Sequence, residues 1–191
     1  MKVLEEKIAK EGKVLPGNVV NVSGFLNHRL DVGLIMEIGK EIARLYPTGV
    51  NKILTIESSG IAIAVCAAAQ MHVPVVYAKK GKTINLQNDV YSTQVDSFTH
   101  KIAHNVIVSK EYLTKDDRVL IVDDFLANAN AIRGLISLVG QAGGKVEGCA
   151  VAIEKGFQGG GDKLRSEGVR VESLAIIDEL TDDGIKFREV V

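Results

Sequence analysis

Five aliphatic runs recur along the chain with helix-period segments between them, and that alternation constrains the fold more than any other feature. The runs are "KILTI" (52–56), "VPVVYA" (73–78), "RVLIVDD" (118–124), "KVEGCAVAIE" (145–154) and "RVESLAII" (170–177). A strand with one wet face alternates apolar and polar residues. These read as continuous apolar stretches, as strands covered on both faces must. Between them, "DVGLIMEIGKEIARLYP" (31–47) places Leu34, Ile38, Ile42 and Leu45 on one helical face, with Asp31 as a cap and Pro47 as a stop. "SGIAIAVCAAAQMH" (59–72) is a helix apolar nearly all round, "NAIRGLISLVGQAGG" (130–144) a helix ending in glycines, and "DKLRSEG" (162–168) a short one. "MKVLEEKIAKEG" opens the chain as a helix with Val3, Leu4 and Ile8 on one side and Gly12 as its stop. The pattern predicts an α/β fold: a doubly wound, mostly parallel sheet flanked by helices, in one domain over 1–191.

Two segments break the rhythm. Residues 79–115 lie between two strands and contain "YSTQVDSFT" and "HNVIVSKEYL", where polar and apolar residues alternate as in exposed strands. An excursion of that length is expected to be functional, as a lid or antiparallel flap. "NVVNVSGFLNHRL" (18–30) is expected to form a small extra layer.

The net charge of −1 favours neither nucleic acid nor an anionic membrane as a partner. Cys66 and Cys149 sit in apolar contexts without a CxxC spacing, so buried free thiols in a reducing, cytoplasmic compartment are expected. The charged N-terminal stretch lacks the apolar core of a signal peptide. The longest apolar run, 61–69, is far short of the ~20 residues that span a bilayer. Among the histidines only His100 and His104 have a helical metal spacing. No acidic or third ligand lies near them in sequence, so no zinc site is expected.

The chemistry concentrates in "VLIVDDFLANANAIRG" (119–134). In an open parallel sheet, ligands bind beyond the carboxyl ends of the strands, where Asp123 and Asp124 are expected to lie. The small residues after them lead to a helix N-terminus, whose unpaired N–H groups and partial positive charge suit a phosphate. Two acids beside a phosphate cradle suit a ligand that also carries sugar hydroxyls or Mg²⁺. A capping or turn role for the acidic pair is the plainer alternative.

A strand, an acidic pair and a small-residue loop opening a helix resemble the type I phosphoribosyltransferases. Within that family "VSGFLNH" (22–28), "TIESSGIA" (55–62), "DDFLANANA" (123–131) and "AIEKGFQ" (152–158) are similar to the xanthine phosphoribosyltransferases of bacterial purine salvage, and the likeness runs nearly the whole chain. The resemblance implies transfer of phosphoribose from phosphoribosyl pyrophosphate (PRPP), accompanied by Mg²⁺, to xanthine or another 6-oxopurine, by a homodimer. It implies that Asp123 and Asp124 act on the ribose. Ala127, Asn128, Ala129, Asn130 and Ala131 would wrap the 5′-phosphate, and Ser58, Ser59 and Gly60 would present N–H groups to the pyrophosphate. No residue would bind the metal directly, since PRPP carries it. Residues 18–30 and 152–160 would form a base-binding hood, with Val20, Asn27, Lys155 and Phe157 at the base, and 80–112 a flexible flap.

In "AKKGK" (78–82), Lys79 or Lys80 stands at a strand end where either could neutralise the pyrophosphate. Where the resembling enzymes usually keep a glycine, this chain has Ala129. Either the loop never needs the positive-φ conformation, or phosphate binding is somewhat weakened here. A serine-hydrolase elbow at "ESSG" is excluded because Ile56 and Glu57 stand where its first glycine is required. A purine-responsive regulator on the same fold would need a DNA-binding domain and a basic surface. A receiver domain would leave "ANANA" unexplained.

Overall fold

The computed structural model describes residues 1–81, 89–96, 103–181 and 184–189. Helix α1 (Lys2–Glu11) precedes a hairpin of β1 (Lys13–Leu15) and β2 (Val19–Asn21), one π-helical turn (Ser23–Asn27) and helix α2 (Val32–Leu45). Then follow β3 (Lys52–Ile56), α3 (Gly60–Met71), β4 (Val75–Lys80), β5 (Val90–Asp96), β6 (Ala103–Ser109), β7 (Arg118–Leu126), α4 (Asn130–Ala142) and β8 (Lys145–Lys155). A 3₁₀ turn (Gly156–Gln158), α5 (Gly160–Ser166), β9 (Val171–Thr181) and β10 (Gly184–Phe187) complete the chain.

The main sheet has the order β10-β9-β8-β7-β3-β4-β6-β5. Its five aliphatic strands, β9-β8-β7-β3-β4, pair in parallel as their composition requires. Two hairpins cap the edges: β10 folds back on β9, and β6 pairs antiparallel with β4. The alternating segments of the 79–115 excursion are β5 and β6, paired antiparallel. Their described part is tied down, because Gln141 of α4 accepts from the Ser92 N–H and donates to the Ser92 carbonyl. The last aliphatic run extends beyond residue 177 to Thr181, and β10 falls on "GIKF", too short to signal itself in sequence.

Two apolar layers sandwich the sheet. One joins α1, α2 and α3 through Leu4, Ile38, Ile42 and Ile63 to Leu120 and Val122 of β7. The other joins α4 and α5 through Leu135, Leu138 and Leu164 to Val119 and Ile121. Strand alternation sends neighbouring β7 residues into opposite layers. Asp31 caps α2, accepting from Leu34 N–H at 3.2 Å. Although apolar almost all round, α3 leaves Val65 half exposed. Cys149 lies in the core, where burial pushes its thiol up to about 12. No helix among the described residues is long and apolar enough to cross a membrane.

Helices α2 and α3 cross at Gly39, where an added Cβ would lie 2.6 Å from the Cys66 carbonyl carbon and 2.7 Å from Ala67 N. Gly39→Ala is therefore expected to lose about 1–3 kcal/mol by overpacking. Gly140→Ala, on the exposed side of α4 with nothing within 4 Å, should gain roughly 0.5–1 kcal/mol of helix propensity. Urea denaturation of both variants checks the contrast; equal effects would contradict the close crossing.

Candidate active site

Strand β7 outruns β3. Their pairing is recorded to Leu54 and Ile121, whereas β7 stays paired to β8 as far as Leu126. Asp123 and Asp124 thus lie inside a strand rather than at its end, beyond the reach of one neighbour but supported by the other. This corrects the expectation from sequence, which had the strand stop at residue 124. Both acids are buried, 5% and 6% exposed.

Their side chains go to different places. Asp124 Oδ2 accepts from Asn27 Nδ2 at 3.1 Å. A carboxylate only accepts, so this contact fixes the amide's orientation and turns Asn27 Oδ1 away from Asp124 as an acceptor. The π-helical turn delivers Asn27 because Phe25 and Leu26 anchor it in the core. Asp123 lies against the start of α3, where a Cβ on Gly60 would come 2.8 Å from Asp123 Oδ1 and 2.3 Å from Thr55 Oγ1. Only glycine lets α3 begin so close to the acid. Asp123 Oδ1 also accepts from Asp124 N–H at 2.9 Å. Burial, then the neighbouring charge of Asp124, pushes the Asp123 carboxyl well above its usual range.

Ser58 and Ser59 form the turn between β3 and α3, with Ser58 exposed and the Glu57–Ser58 peptide cis. Glu57 Oε1 accepts from Lys80 N–H at 2.6 Å, which ties this turn to the end of β4. Of the two candidate lysines, Lys80 acts electrostatically on Asp123. Lys79 instead lies 5.9 Å from the Tyr77 ring. Strand alternation separates them.

After β7 the chain passes through Ala127, Asn128 and Ala129 into α4, which opens with Asn130 and Ala131. Ala129 is the N-cap residue and has φ +70°, so the loop does enter the left-handed region, without glycine. That conformation costs a residue with a Cβ roughly 1–2 kcal/mol. The Ala129 methyl group is buried in the α4 layer. No side chain of Ala129 caps the helix, while Asn128 Oδ1 accepts from Asn130 N–H at 3.2 Å. The loop rests on α5, since a Cβ on Gly160 would meet Ala127 O at 2.2 Å and Ala129 N at 2.7 Å.

Lys155 ends β8, half buried, with its ammonium 5.6 Å from the Phe125 ring centroid. Burial pushes its pKa down. Phe157 follows in the 3₁₀ turn and packs partly on the first apolar layer, in which Val20 is buried. Phe125 is the neighbour that sequence reading missed. Its only signal was its place straight after the acidic pair. His100 lies outside the described residues, and no cluster of three metal-ligating side chains occurs among those described.

Replacing Ala129 separates its backbone strain from its packing. Ala129→Gly relieves the strain but adds chain entropy and removes a buried methyl, so stability should stay within about 1 kcal/mol. Ala129→Val, β-branched at positive φ, should lose more than about 2 kcal/mol. Urea midpoints decide; a Val variant as stable as the parent would contradict the φ.

Comparison with known proteins gives the family. The phosphoribosyl transferase domain family matches residues 22–184. A xanthine phosphoribosyltransferase from Lachnoclostridium phytofermentans is 52% identical over 191 residues, covering 98% of each chain. One from Bacillus cytotoxicus is 54% identical over 188 residues, covering 98% of this chain and 95% of the relative. In fold, the chain is similar to the adenine phosphoribosyltransferase of Giardia lamblia complexed with 9-deazaadenine, with a TM-score of 0.77, 22% identity and coverage of 93% and 98%. The chain belongs to the phosphoribosyl transferase family.

Proposed function

We propose that this chain transfers the 5-phosphoribosyl group from PRPP to xanthine, giving xanthosine 5′-monophosphate and pyrophosphate. The observation that carries the reading is the Asn27–Asp124 contact, which joins an element assigned to the base with an acid assigned to the sugar. The xanthine phosphoribosyltransferases about half identical over nearly the full length support the choice of base.

In this reading the N–H groups of Ala127, Asn128, Ala129, Asn130 and Ala131 bind the 5′-phosphate. Ser58, Ser59 and Gly60 receive the pyrophosphate, with Lys80 as a countercharge. Asp123 and Asp124 accept from the ribose hydroxyls and stabilise positive charge as the bond from C1 to pyrophosphate breaks. The purine nitrogen then attacks with inversion, and the protein supplies positioning and electrostatics rather than a covalent nucleophile. The base lies among Asn27, Lys155, Phe157 and the Val20 backbone. Lys155 donates and cannot accept, which suits an oxo group and disfavours the amine of adenine. Asn27 Oδ1 offers an acceptor for a ring N–H.

Mg²⁺ bound with PRPP would supply charge neutralisation to the pyrophosphate held at Ser58, Ser59 and Gly60. The carboxylates of Asp123 and Asp124 are hard oxygen donors of the kind this ion prefers. Of the segment 80–112 proposed as a flap, residues 82–88 and 97–102 lie outside the described residues. We further propose a homodimer acting in the cytoplasm, in keeping with the free, buried Cys149.

Steady-state nucleotide formation with xanthine, guanine, hypoxanthine and adenine tests the assignment. Xanthine should lead in kcat/KM by at least about tenfold. A lead for another base would overturn the choice of xanthine. Lys155→Ala should raise KM for the base and leave KM for PRPP nearly unchanged.

The acidic pair predicts opposite effects on stability and activity. Because the folded state raises the Asp123 pKa, holding the charged form is unfavourable. That penalty is absent below the ordinary value of about 4 and grows as pH rises toward the raised folded value. Asp123→Asn should therefore melt at about the parent's temperature near pH 4 and above it near neutrality. Turnover should fall on the order of 100-fold. Parallel loss of melting temperature and turnover at neutral pH would make Asp123 structural.

A further inference from the structure

The stretch "KGFQGGGD" (155–162) carries four glycines, and three of them lie where a side chain could not fit. A Cβ on Gly160 would strike the loop at 127–129. One on Gly161 would come 2.1 Å from Glu154 Oε1. One on Gly156 would come 2.4 Å from Asp178 Oδ1 and 3.0 Å from Arg188 Nη2. The turn after Lys155 therefore has no slack. Its position is set by what lies beneath it, and beneath Gly156 lies an ion pair.

Two arginines hold the turn from different sides. Arg165 of α5 forks onto the buried Glu154 carboxylate, at 3.0 and 2.6 Å, and fastens α5 to β8. Ser173 Oγ donates to the same carboxylate. Arg188, just beyond β10, is itself fixed by its N–H donating to Ile176 O at 2.8 Å. Its guanidinium grips Asp178 of β9 through Nε at 3.0 Å and Nη2 at 2.8 Å, and Asp162 of α5 through Nη1 at 2.8 Å. Such planar, forked pairing specifies geometry as well as charge, and lysine cannot reproduce it.

We infer that Arg188 is a positioning residue, setting the height and angle of the Lys155–Phe157 turn by packing its ion pair with Asp178 against Gly156. The inference rests on the base-binding role proposed for that turn. Arg188 is not among the residues proposed to contact substrate; its side chain pairs with Asp178 and Asp162. Arg188 also reaches α5 through Asp162, but the fork of Arg165 on the buried Glu154 carboxylate fastens α5, and with it the floor of the phosphate loop, independently of that contact. Loosening Arg188 therefore disturbs the base side of the site first.

The test is steady-state kinetics of Arg188→Gln and Arg188→Lys in the full chain, varying xanthine and Mg·PRPP separately. Arg188→Gln should raise KM for xanthine about tenfold, as expected when a contact group is misplaced, and change KM for PRPP by less than about twofold. Arg188→Lys, which keeps the charge but loses the fork, should fall between. Raising ionic strength should widen the gap between Arg188→Lys and the parent, since a single-point pair is screened more readily than a forked one. If Arg188→Gln does not fold, Asp178→Asn weakens the same fork from the other side and should give the same split. Equal shifts in both KM values, or an unchanged KM for xanthine, overturn the inference. A parent that forms no nucleotide from any purine base refutes the proposed function instead, so the two failures are distinguishable.

Discussion

Two adjacent carboxylates can be buried in one strand only if each has somewhere different to go. β7 meets that requirement by outrunning β3 and by strand alternation. Asp124 receives the Asn27 amide, and Asp123 receives a backbone N–H and the bare Cα of Gly60. Burial and the neighbouring carboxylate of Asp124 act against the charged form of Asp123, and Lys80 opposes them only weakly.

The surrounding elements hold this site at close range. Gly60 brings α3 against Asp123, Gly160 brings α5 against the loop at 127–129, and Gly161 seats α5 on Glu154. Backbone groups placed this way need no side-chain rearrangement to face a ligand, which is the preorganisation that electrostatic catalysis needs. The loop at Ala129 reaches its shape at a cost that glycine would avoid, and burial of the alanine methyl group offsets part of it.

Much of this was legible beforehand, and the limits have physical causes. Continuous aliphatic runs announced the parallel strands because burial on both faces leaves no place for alternation. β10 went unannounced because four residues are too few to show a period. The end of β7 was misplaced because adjacent acids look like the edge of a buried strand, whereas here a longer neighbour carries the pairing onward. Lys79 and Lys80 were equivalent as residue types, and the pleat distinguished them. Phe125 was hidden because an aromatic after an acidic pair has no signature until Lys155 is brought beside it.

By itself, the sequence determined the fold class, the acidic pair, the small-residue loop after it and the segments that resemble one enzyme family. Those are properties of local pattern, set by which faces are buried and which residues tolerate a turn. Tertiary structure alone decided that Asn27 meets Asp124, that Ala129 sits at positive φ, and that Arg188 lies under Gly156. Each of these depends on surfaces distant in the chain being pressed together, and the close-packed core rather than any local preference chooses those neighbours.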